Sequence, residues 1–169
     1  MKKAILMVIV VAAVSGSVFA QTSTTTGLSV RLGAFMPSEK AAKDEGKSWL
    51  AAGAEFKLKD LNIGTMSEDY KASLSVSLDY YGRGDFRNVP LLLNYTGRKN
   101  QFYYTAGAGV GFSRLPSGTG SVDKTRFAYQ VGVGYDFAKG STPVFVEAKY
   151  FGAQKKELAG IGLFVGVRL

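Results

Sequence analysis

Two kinds of side chain alternate along the segment Phe127-Ala128-Tyr129-Gln130-Val131-Gly132-Val133-Gly134-Tyr135-Asp136-Phe137. Its odd positions carry aromatic or aliphatic side chains and its even positions carry small or polar ones. This period-2 pattern predicts a β-strand with two unlike faces. On the apolar face the rings stand at both ends, with Val131 and Val133 between them. A bilayer-crossing strand has this pattern, because aromatic rings collect at the two lipid–water interfaces.

The first twenty residues are predicted to be a cleaved secretory signal peptide. A basic start, Met1-Lys2-Lys3, precedes the apolar run Ala4–Val14, and Val18-Phe19-Ala20 offers small residues for cleavage. That run is too short to cross a bilayer as a helix. Residues 21–169 remain as one domain of 169 − 20 = 149 residues, with a formal charge of +6 after two lysines leave with the signal.

The composition excludes several classes of function. The chain has no cysteine and no histidine, so it has no disulfide, no Ser–His or Cys–His pair and none of the commonest metal ligands. Its acids alternate with basic partners, which argues against carboxylate acid–base chemistry. We therefore expect no enzyme activity, metal or cofactor. Nucleic-acid binding is not expected either, because no basic run is longer than Lys155-Lys156.

Seven further stretches alternate in the same way: Gly27–Met36, Ser48–Lys59, Lys71–Tyr81, Phe86–Thr96, Gln101–Phe112, Pro143–Phe151 and Leu158–Leu169. Strands of about nine to twelve residues match the roughly 9–11 needed for a tilted bilayer crossing. Pro90 removes one ladder donor, and Asp60–Tyr70 stays unassigned. Ser113–Asp123 is predicted to be a loop, and no stretch has helical periodicity. The predicted fold is all-β, an eight-stranded antiparallel up-and-down transmembrane β-barrel.

The polar faces are predicted to line a confined lumen. They are rich in glycine, serine and alanine, and small side chains suit the narrow interior of an eight-stranded barrel. Their charges also balance, which burial inside a closed barrel demands. The predicted lumen charges are Arg31, Lys57, Lys149 and Arg168 against Glu55, Asp79, Asp136 and Glu147.

The apolar faces are predicted to meet lipid, because their rings sort by height into two girdles with aliphatic side chains between them. If the chain starts in the periplasm, the outer girdle is Tyr80, Phe112, Phe127, Tyr129 and Tyr150. The inner girdle is Phe56, Tyr95, Phe102, Tyr104, Tyr135 and Phe137.

The signal peptide, the eight alternating strands and the closing segment Gly162-Leu-Phe-Val-Gly-Val-Arg-Leu169 resemble the small outer-membrane β-barrel family, which includes the OmpA-type transmembrane domain and its opacity-porin relatives. The likeness covers essentially the whole mature chain, through a generic pattern and not a sharp motif. It implies residence in the bacterial outer membrane after export to the periplasm, contact with outer-membrane lipid, and a monomer. It also implies biogenesis through periplasmic chaperones and the barrel-assembly machinery.

The same resemblance implies a C-terminal assembly signal at Val165, Val167 and Leu169, although such signals usually end in an aromatic residue and Leu169 does not. Because nothing follows the last strand, no periplasmic peptidoglycan-binding domain is expected.

Three functions stay open on the sequence. The favoured one is a structural, envelope-integrity or surface-contact role. The first alternative is a small porin-like pore past Arg31, Glu55, Lys57 and Asp79, and the second is a soluble, secreted, lipocalin-like binding barrel. The tripeptide Arg83-Gly84-Asp85 matches an integrin-binding sequence, but a polar tripeptide with a glycine is also good turn material.

Overall fold

A computed structural model describes residues 27–62, 70–117, 120–137 and 143–169. Its strands are β1 (Leu28–Pro37), β2 (Trp49–Leu61), β3 (Tyr70–Arg83), β4 (Phe86–Lys99), β5 (Phe102–Ser117), β6 (Gly120–Asp136), β7 (Val144–Ala153) and β8 (Gly160–Arg168). The predicted signal peptide, the lead-in 21–26, most of the 60–70 connection and the turn 138–142 lie outside the described residues.

The strands form a closed barrel in sequence order. Each strand pairs antiparallel with the next, and β1 pairs antiparallel with β8 to close the circle. Val30, for example, lies opposite Ala54 of β2 on one side and Val167 of β8 on the other. The predicted fold, an eight-stranded antiparallel up-and-down barrel, is confirmed. Closure leaves the barrel wall without an unpaired sheet edge.

The two ends of the barrel differ in the connections that they carry. The terminal end is where β1 begins and β8 ends, and it carries the turn at Asn100, whose φ of 56° is a left-handed value. The loop end carries the longest connection, residues 38–48 after β1, together with the helical connection after β7 and the turn at Gly84. Gly84 has a φ of +55°, and a Cβ there would lie 2.1 Å from Glu45 Oε1. The predicted turn at Arg83-Gly84-Asp85 is therefore confirmed as a turn that requires its glycine.

The strands at the loop end are longer than expected, because β5 and β6 continue as a ribbon past the barrel wall. The predicted loop Ser113–Asp123 is wrong over most of its length, since β5 runs to Ser117 and β6 begins at Gly120. The pairs Arg114–Asp123 and Leu115–Val122 belong to this ribbon. Strand pairing continues there because backbone hydrogen bonds hold the two strands together. Such bonds do not require the alternating side chains that mark a strand facing lipid.

Two short helices, which the lack of helical periodicity gave no means to predict, lie in the connections at the loop end. Helix α1 (Lys40–Glu45) follows β1, and a 3-10 helix (Lys156–Leu158) precedes β8. Both are too short for a periodicity to be visible, and packing holds them, because Ala42 and Leu158 are fully buried against the barrel's aromatic side chains. No helix in the described ranges is long and apolar enough to span a membrane.

The interruption expected at Pro90 is local. Leu78 lies opposite Leu91 on one side of it, and Tyr81 lies opposite Asn88 on the other, so β3 and β4 keep one register. Pro90 also pairs with Gly111 of β5. Although Pro90 lacks an N–H, the side chains next to it therefore still point to the same sides of the sheet as the alternation predicts.

The faces point as predicted. Apolar side chains such as Leu32, Leu163 and Val165 are half exposed or more on the outside, while Arg31, Asp79 and Lys149 are buried inside. A soluble barrel requires the reverse, with apolar side chains inside and charges in water. The exterior is that of a barrel that crosses a lipid bilayer.

Candidate functional site

The centre of the lumen is an ion cluster built on Arg31 of β1. Its Nε donates to Asp79 Oδ1 at 2.9 Å and its Nη2 donates to Asp79 Oδ2 at 2.8 Å, which is a two-pronged pairing. Its Nη1 donates to Glu55 Oε2 at 3.1 Å and lies 3.5 Å from Glu147 Oε2. One buried guanidinium therefore contacts three carboxylates from three other strands.

Lys149 of β7 completes this cluster. Its Nζ is buried and lies 3.4 Å from Glu147 Oε2 and 3.9 Å from Glu55 Oε2. Ser75 donates a hydrogen bond to Glu55 Oε1 at 2.7 Å. The cluster thus contains two positive and three negative side chains, and charges buried this way stabilise a protein only when each has close partners.

A second ion cluster lies nearer the terminal end. Asp136 of β6 pairs with Arg98 of β4, and its Oδ1 lies 3.1 Å from Arg168 Nε of β8. The two guanidiniums sit 4.8 and 4.7 Å from the ring of Tyr103, and that of Arg168 sits 4.6 Å from the ring of Phe145. Cation–π contacts of this kind hold the two like charges on one carboxylate.

The structure brings together seven of the eight predicted lumen charges and leaves out Lys57, where the prediction is wrong. Lys57 lies one residue past the Leu28–Phe56 pair that ends the β1–β2 ladder. A register shift follows it, and its side chain is half exposed and pairs with Asp60 at 3.1 Å. Because Lys57 lies at the rim of the barrel, its ammonium group reaches water and does not need a partner inside the lumen.

The fourth positive charge in the lumen is Arg98, which was not predicted, and not Lys57. Arg98 lies beyond the predicted strand Phe86–Thr96, but β4 continues to Lys99 and the Arg98 side chain points inward. The signal was present, because Asn88, Leu92, Asn94 and Thr96 are the inward residues of β4 and 98 has the same parity. With Arg98 in and Lys57 out, four positive charges still face four negative ones across the two clusters.

A polar wall without charge runs along β3, β4 and β6. Gln130 Nε2 donates to Asn94 Oδ1 at 2.6 Å, and Asn94 Nδ2 donates to Ser77 Oγ at 2.9 Å. Toward the loop end, Ser113 Oγ donates to Asn88 Oδ1 at 2.8 Å. These buried amides and hydroxyls bind one another. Side-chain hydrogen bonds therefore join adjacent strands of the lumen wall and, through Gln130 and Asn94, also join β6 to β4 past β5.

The loop end of the lumen is filled by aromatic side chains. The rings of Phe35 and Tyr81 stack with centroids 4.1 Å apart, and Trp49 packs against Phe86 at 5.9 Å. The Tyr81 hydroxyl donates to the Leu158 carbonyl at 2.9 Å, which ties the 3-10 helix over the opening. This aromatic plug is made of Phe35, Trp49, Tyr81, Phe86, Phe151 and Phe164, and Ala42 and Leu158 cover it.

Glycines on the inner face make room for these side chains. A Cβ built on Gly53 would lie 2.0 Å from Asp79 Oδ1, and one on Gly134 would lie 2.2 Å from Tyr103 Cζ. One on Gly166 would lie 2.4 Å from Phe145 Cζ. The inward glycines therefore mark where a charged or aromatic side chain crosses directly over the neighbouring backbone.

A cavity of about 10 Å³ remains between the two ion clusters. Its lining residues are Ser29, Arg31, Glu55, Thr96, Tyr103, Phe145, Glu147 and Arg168. A volume of this size holds about one water molecule. The Tyr103 hydroxyl and Glu147 Oε2 are buried there without a hydrogen bond from the described residues, so such a water has polar partners.

The predicted girdle residues lie on the outer surface at the two ends. At the terminal end, Tyr135 and Phe137 have ring centroids 5.3 Å apart, and Phe102 lies opposite Tyr135. At the loop end, Tyr129 lies 6.2 Å from Phe127 and 6.3 Å from Tyr150.

Sequence reasoning missed one ring of the terminal band. The Tyr70 hydroxyl lies 2.7 Å from the Tyr95 hydroxyl and 2.6 Å from that of Tyr104. Tyr70 begins β3 with the parity of the outward Leu74 and Leu78, which was the available signal.

The residues proposed as an assembly signal lie on the outside of β8. Val165 is exposed, while Val167 and Leu169 are partly exposed. The backbone N–H of Leu169 donates to the Leu28 carbonyl at 2.7 Å, so the last residue still belongs to the seam between β1 and β8. An assembly role stays a prediction.

The described side chains of the lumen are mainly engaged in ion pairs and packing contacts. Within the described ranges, no three carboxylates are grouped so as to bind a metal ion. Every carboxylate of the two ion clusters contacts at least one arginine or lysine. This arrangement locks strands from opposite sides of the barrel to one another.

No protein-family description and no curated protein matches the chain. Three solved structures are similar in fold. Ail of Yersinia pestis, in a phospholipid bilayer nanodisc, is 12% identical with a TM-score of 0.49, over 83% of this chain and 97% of that one. The N-terminal β-barrel domain of Pseudomonas aeruginosa OprF is 9% identical with a TM-score of 0.49, and the match covers 85% of this chain and 96% of that one. The outer membrane enzyme PagL is 16% identical with a TM-score of 0.45, and the match covers 84% of this chain and 97% of that one. Each is a likeness in fold, and the barrel described here rests on its own strand pairing.

Proposed function

We propose that this protein is an integral barrel of the bacterial outer membrane, with a structural, envelope-integrity or surface-contact role. The observation that carries the proposal is the contrast between a lumen filled by ion clusters and aromatic rings and an exterior that is apolar between two aromatic bands. The terminal end faces the periplasm and the loop end faces outward, because the longest connection, residues 38–48, and the β5–β6 ribbon lie at the loop end, and the long loops of such barrels are extracellular.

The absence of histidine and cysteine from the sequence supports a role without catalysis. A Ser–His or Cys–His pair is what most hydrolytic sites use to activate a nucleophile. Carboxylates are the remaining candidates, and Glu55, Asp79 and Glu147 are each held by Arg31 in the lumen. A test is hydrolysis of phospholipid and lipopolysaccharide by purified barrel. Turnover above that of a heat-denatured control would contradict the proposal.

The filled lumen also supports a structural role over a pore. A cavity of about one water molecule lies between the clusters, and the aromatic plug with its α1 and 3-10 cover closes the loop end. Planar-bilayer recordings with purified barrel test this point. We expect a silent membrane, and stable unitary current steps would favour the porin-like alternative.

Membrane fractionation combined with gel mobility tests the location and the barrel together. We expect the protein in the outer-membrane fraction, running at a different apparent mass before and after boiling. A folded barrel resists detergent unfolding at room temperature, so its band shifts on heating. A periplasmic protein whose mobility does not depend on heating would overturn the proposal.

A further inference from the structure

Two arginines stand side by side on the outside of the barrel at its loop end. Arg87 of β4 lies directly opposite Arg114 of β5, and Arg114 lies directly opposite Asp123 of β6. Strand alternation puts all three on the outer face, because Asn88 and Ser113, next to the two arginines in sequence, are buried in the lumen. One horizontal row of the sheet therefore presents two positive charges and one negative charge.

This row is under-neutralised. Like charges directly across a strand pair are unfavourable, and Arg87 has no carboxylate partner among the described residues. Arg114 Nε lies 3.1 Å from Asp123 Oδ1, but the contact lacks hydrogen-bond alignment and that Nε has no hydrogen-bond partner. Asp123 itself is largely exposed. Most donors of these two adjacent guanidiniums thus have no partner among the residues that the structure describes.

The row has a defined height relative to the membrane. Phe112 and Val89 lie opposite each other two residues closer to the barrel middle, on the same outer face. Two residues of strand rise roughly 7 Å, so the guanidiniums lie just beyond the aromatic band that marks the end of the hydrocarbon layer. Lipid headgroup phosphates lie at that level.

We propose that Arg87 and Arg114 form a binding site for the phosphate monoester of a lipid A headgroup, in lipopolysaccharide of the outer leaflet. The inference rests on the proposed outer-membrane location and orientation. Two guanidinium forks suit one phosphate, since each can donate two parallel hydrogen bonds to its oxygens. A phosphate monoester carries about −1.5 to −2 charges at pH 7, which matches two arginines better than the single charge of a phospholipid diester.

The site would anchor the barrel to the outer leaflet at one side of its circumference. It lies at the base of the β5–β6 ribbon, where β4 stops pairing with β5 and the ribbon leaves the wall. A phosphate bound across Arg87 and Arg114 therefore links the membrane surface to the strand pair that projects furthest from it.

Native mass spectrometry of the full barrel, released from detergent micelles with diphosphoryl lipid A, tests the site. We compare wild type with the double variant Arg87→Gln/Arg114→Gln, which removes both forks. The matched control is Lys155→Gln/Lys156→Gln, which removes two exposed positive charges where the 3-10 helix begins, at the same end of the barrel. Lipid A without phosphates and phosphatidylglycerol are the two comparison lipids. Heat-dependent gel mobility of each preparation reports separately whether the barrel has folded.

The arginine double variant is expected to bind diphosphoryl lipid A at least about tenfold more weakly, because each lost charge-assisted pair is worth roughly that factor. The lysine control should stay within about twofold of wild type, and wild type should bind dephosphorylated lipid A and phosphatidylglycerol at least about tenfold more weakly than diphosphoryl lipid A. Unchanged binding in the arginine variant, an equal loss in the lysine control, or equal binding of phosphatidylglycerol would each overturn the site while a heat-shifted band leaves the barrel proposal standing. If the double variant does not fold, the same criteria apply to Arg87→Gln and Arg114→Gln separately, with a threefold loss in each as the threshold.

Discussion

At the scale of single residues, Arg31 is the side chain on which the lumen depends most. It pairs with Asp79, Glu55 and Glu147, and all four are largely buried. Removing one partner from a buried ion cluster leaves the others uncompensated, which costs about 3–5 kcal/mol. We therefore expect Arg31→Leu to lower the urea midpoint of unfolding strongly in detergent micelles.

Lys57→Leu is the control for that measurement. Its ammonium sits at the rim with Asp60 and about half of the side chain is exposed. Exposed ion pairs contribute about 0–1 kcal/mol, so its midpoint should stay close to that of wild type. Equal losses in the two variants would mean that Arg31 is not held as a buried charge.

Gly53 provides a second residue-scale prediction. A Cβ there would lie 2.0 Å from Asp79 Oδ1 and 2.9 Å from Arg31 Nε, so Gly53→Ala must push the central pair apart. Overpacking of this kind costs about 1–3 kcal/mol. Gly120→Ala is the matched substitution, since nothing lies within 4 Å of a Cβ at that position. Unfolding by urea should separate the two, and a stable Gly53→Ala barrel would contradict the close crossing of Asp79 over β2.

Alternation predicted which way these residues face, because strand period and burial act on every position alike. It placed Asp136 and Arg168 inside without any knowledge of their contact. It failed at strand ends. Lys57 lies at the rim, next to a register shift, and its side chain reaches water. Arg98 lies inside because β4 is longer than predicted. Pairing between Arg98 and Asp136 also depends on residues 38 apart in sequence, which no local pattern reports.

At the scale of elements, the short helices act as covers and not as supports. Sequence patterning did not predict them, because six residues and three residues show no full amphipathic repeat. What specifies them is tertiary, since Ala42 and Leu158 fill space above the aromatic plug. The β5–β6 ribbon was missed because its residues do not alternate regularly between apolar and polar side chains, although its two strands still pair through backbone hydrogen bonds.

The cover predicts a local change when Leu158 is truncated. Leu158 is fully buried and its carbonyl accepts a hydrogen bond from Tyr81, so Leu158→Ala should cost about 2–5 kcal/mol of local packing and loosen the 3-10 helix. Trp49, the single tryptophan, lies 2% exposed beneath it and reports the change. We expect faster acrylamide quenching of Trp49 in this variant.

Lys156→Ala in the same 3-10 helix removes an exposed side chain, and quenching of Trp49 should then match wild type. Quenching that is unchanged in both variants would show that Leu158 does not seal the loop end. Quenching raised equally in both would indicate that the helix covers the plug without depending on its buried leucine.

At the scale of the whole molecule, the barrel is inside out relative to a soluble protein. The charges buried in its lumen are concentrated in two ion clusters along the axis, and its aliphatic side chains face outward between aromatic bands. In water that exterior would be a very large exposed apolar surface, which soluble monomers avoid. In lipid the same surface costs nothing, while the buried charges are satisfied by one another.

This arrangement predicts how lipid-borne quenchers reach different depths. In bilayers containing lipids brominated along the acyl chain, native Trp49 should be quenched weakly, because it lies inside the barrel at the loop end. In a Trp49→Phe background, Leu91→Trp lies in the middle of β4 on the outer face and should be quenched most by bromine deep in the chains. Phe56→Trp and Phe112→Trp, one in each aromatic band, should respond most to shallow bromine. A hydrocarbon layer of about 25 Å separates the two bands, so the depth profiles should be clearly resolved. Strong deep quenching of Trp49 with none at Leu91→Trp would reverse the faces, and no quenching at any site would mean that the barrel does not enter the bilayer.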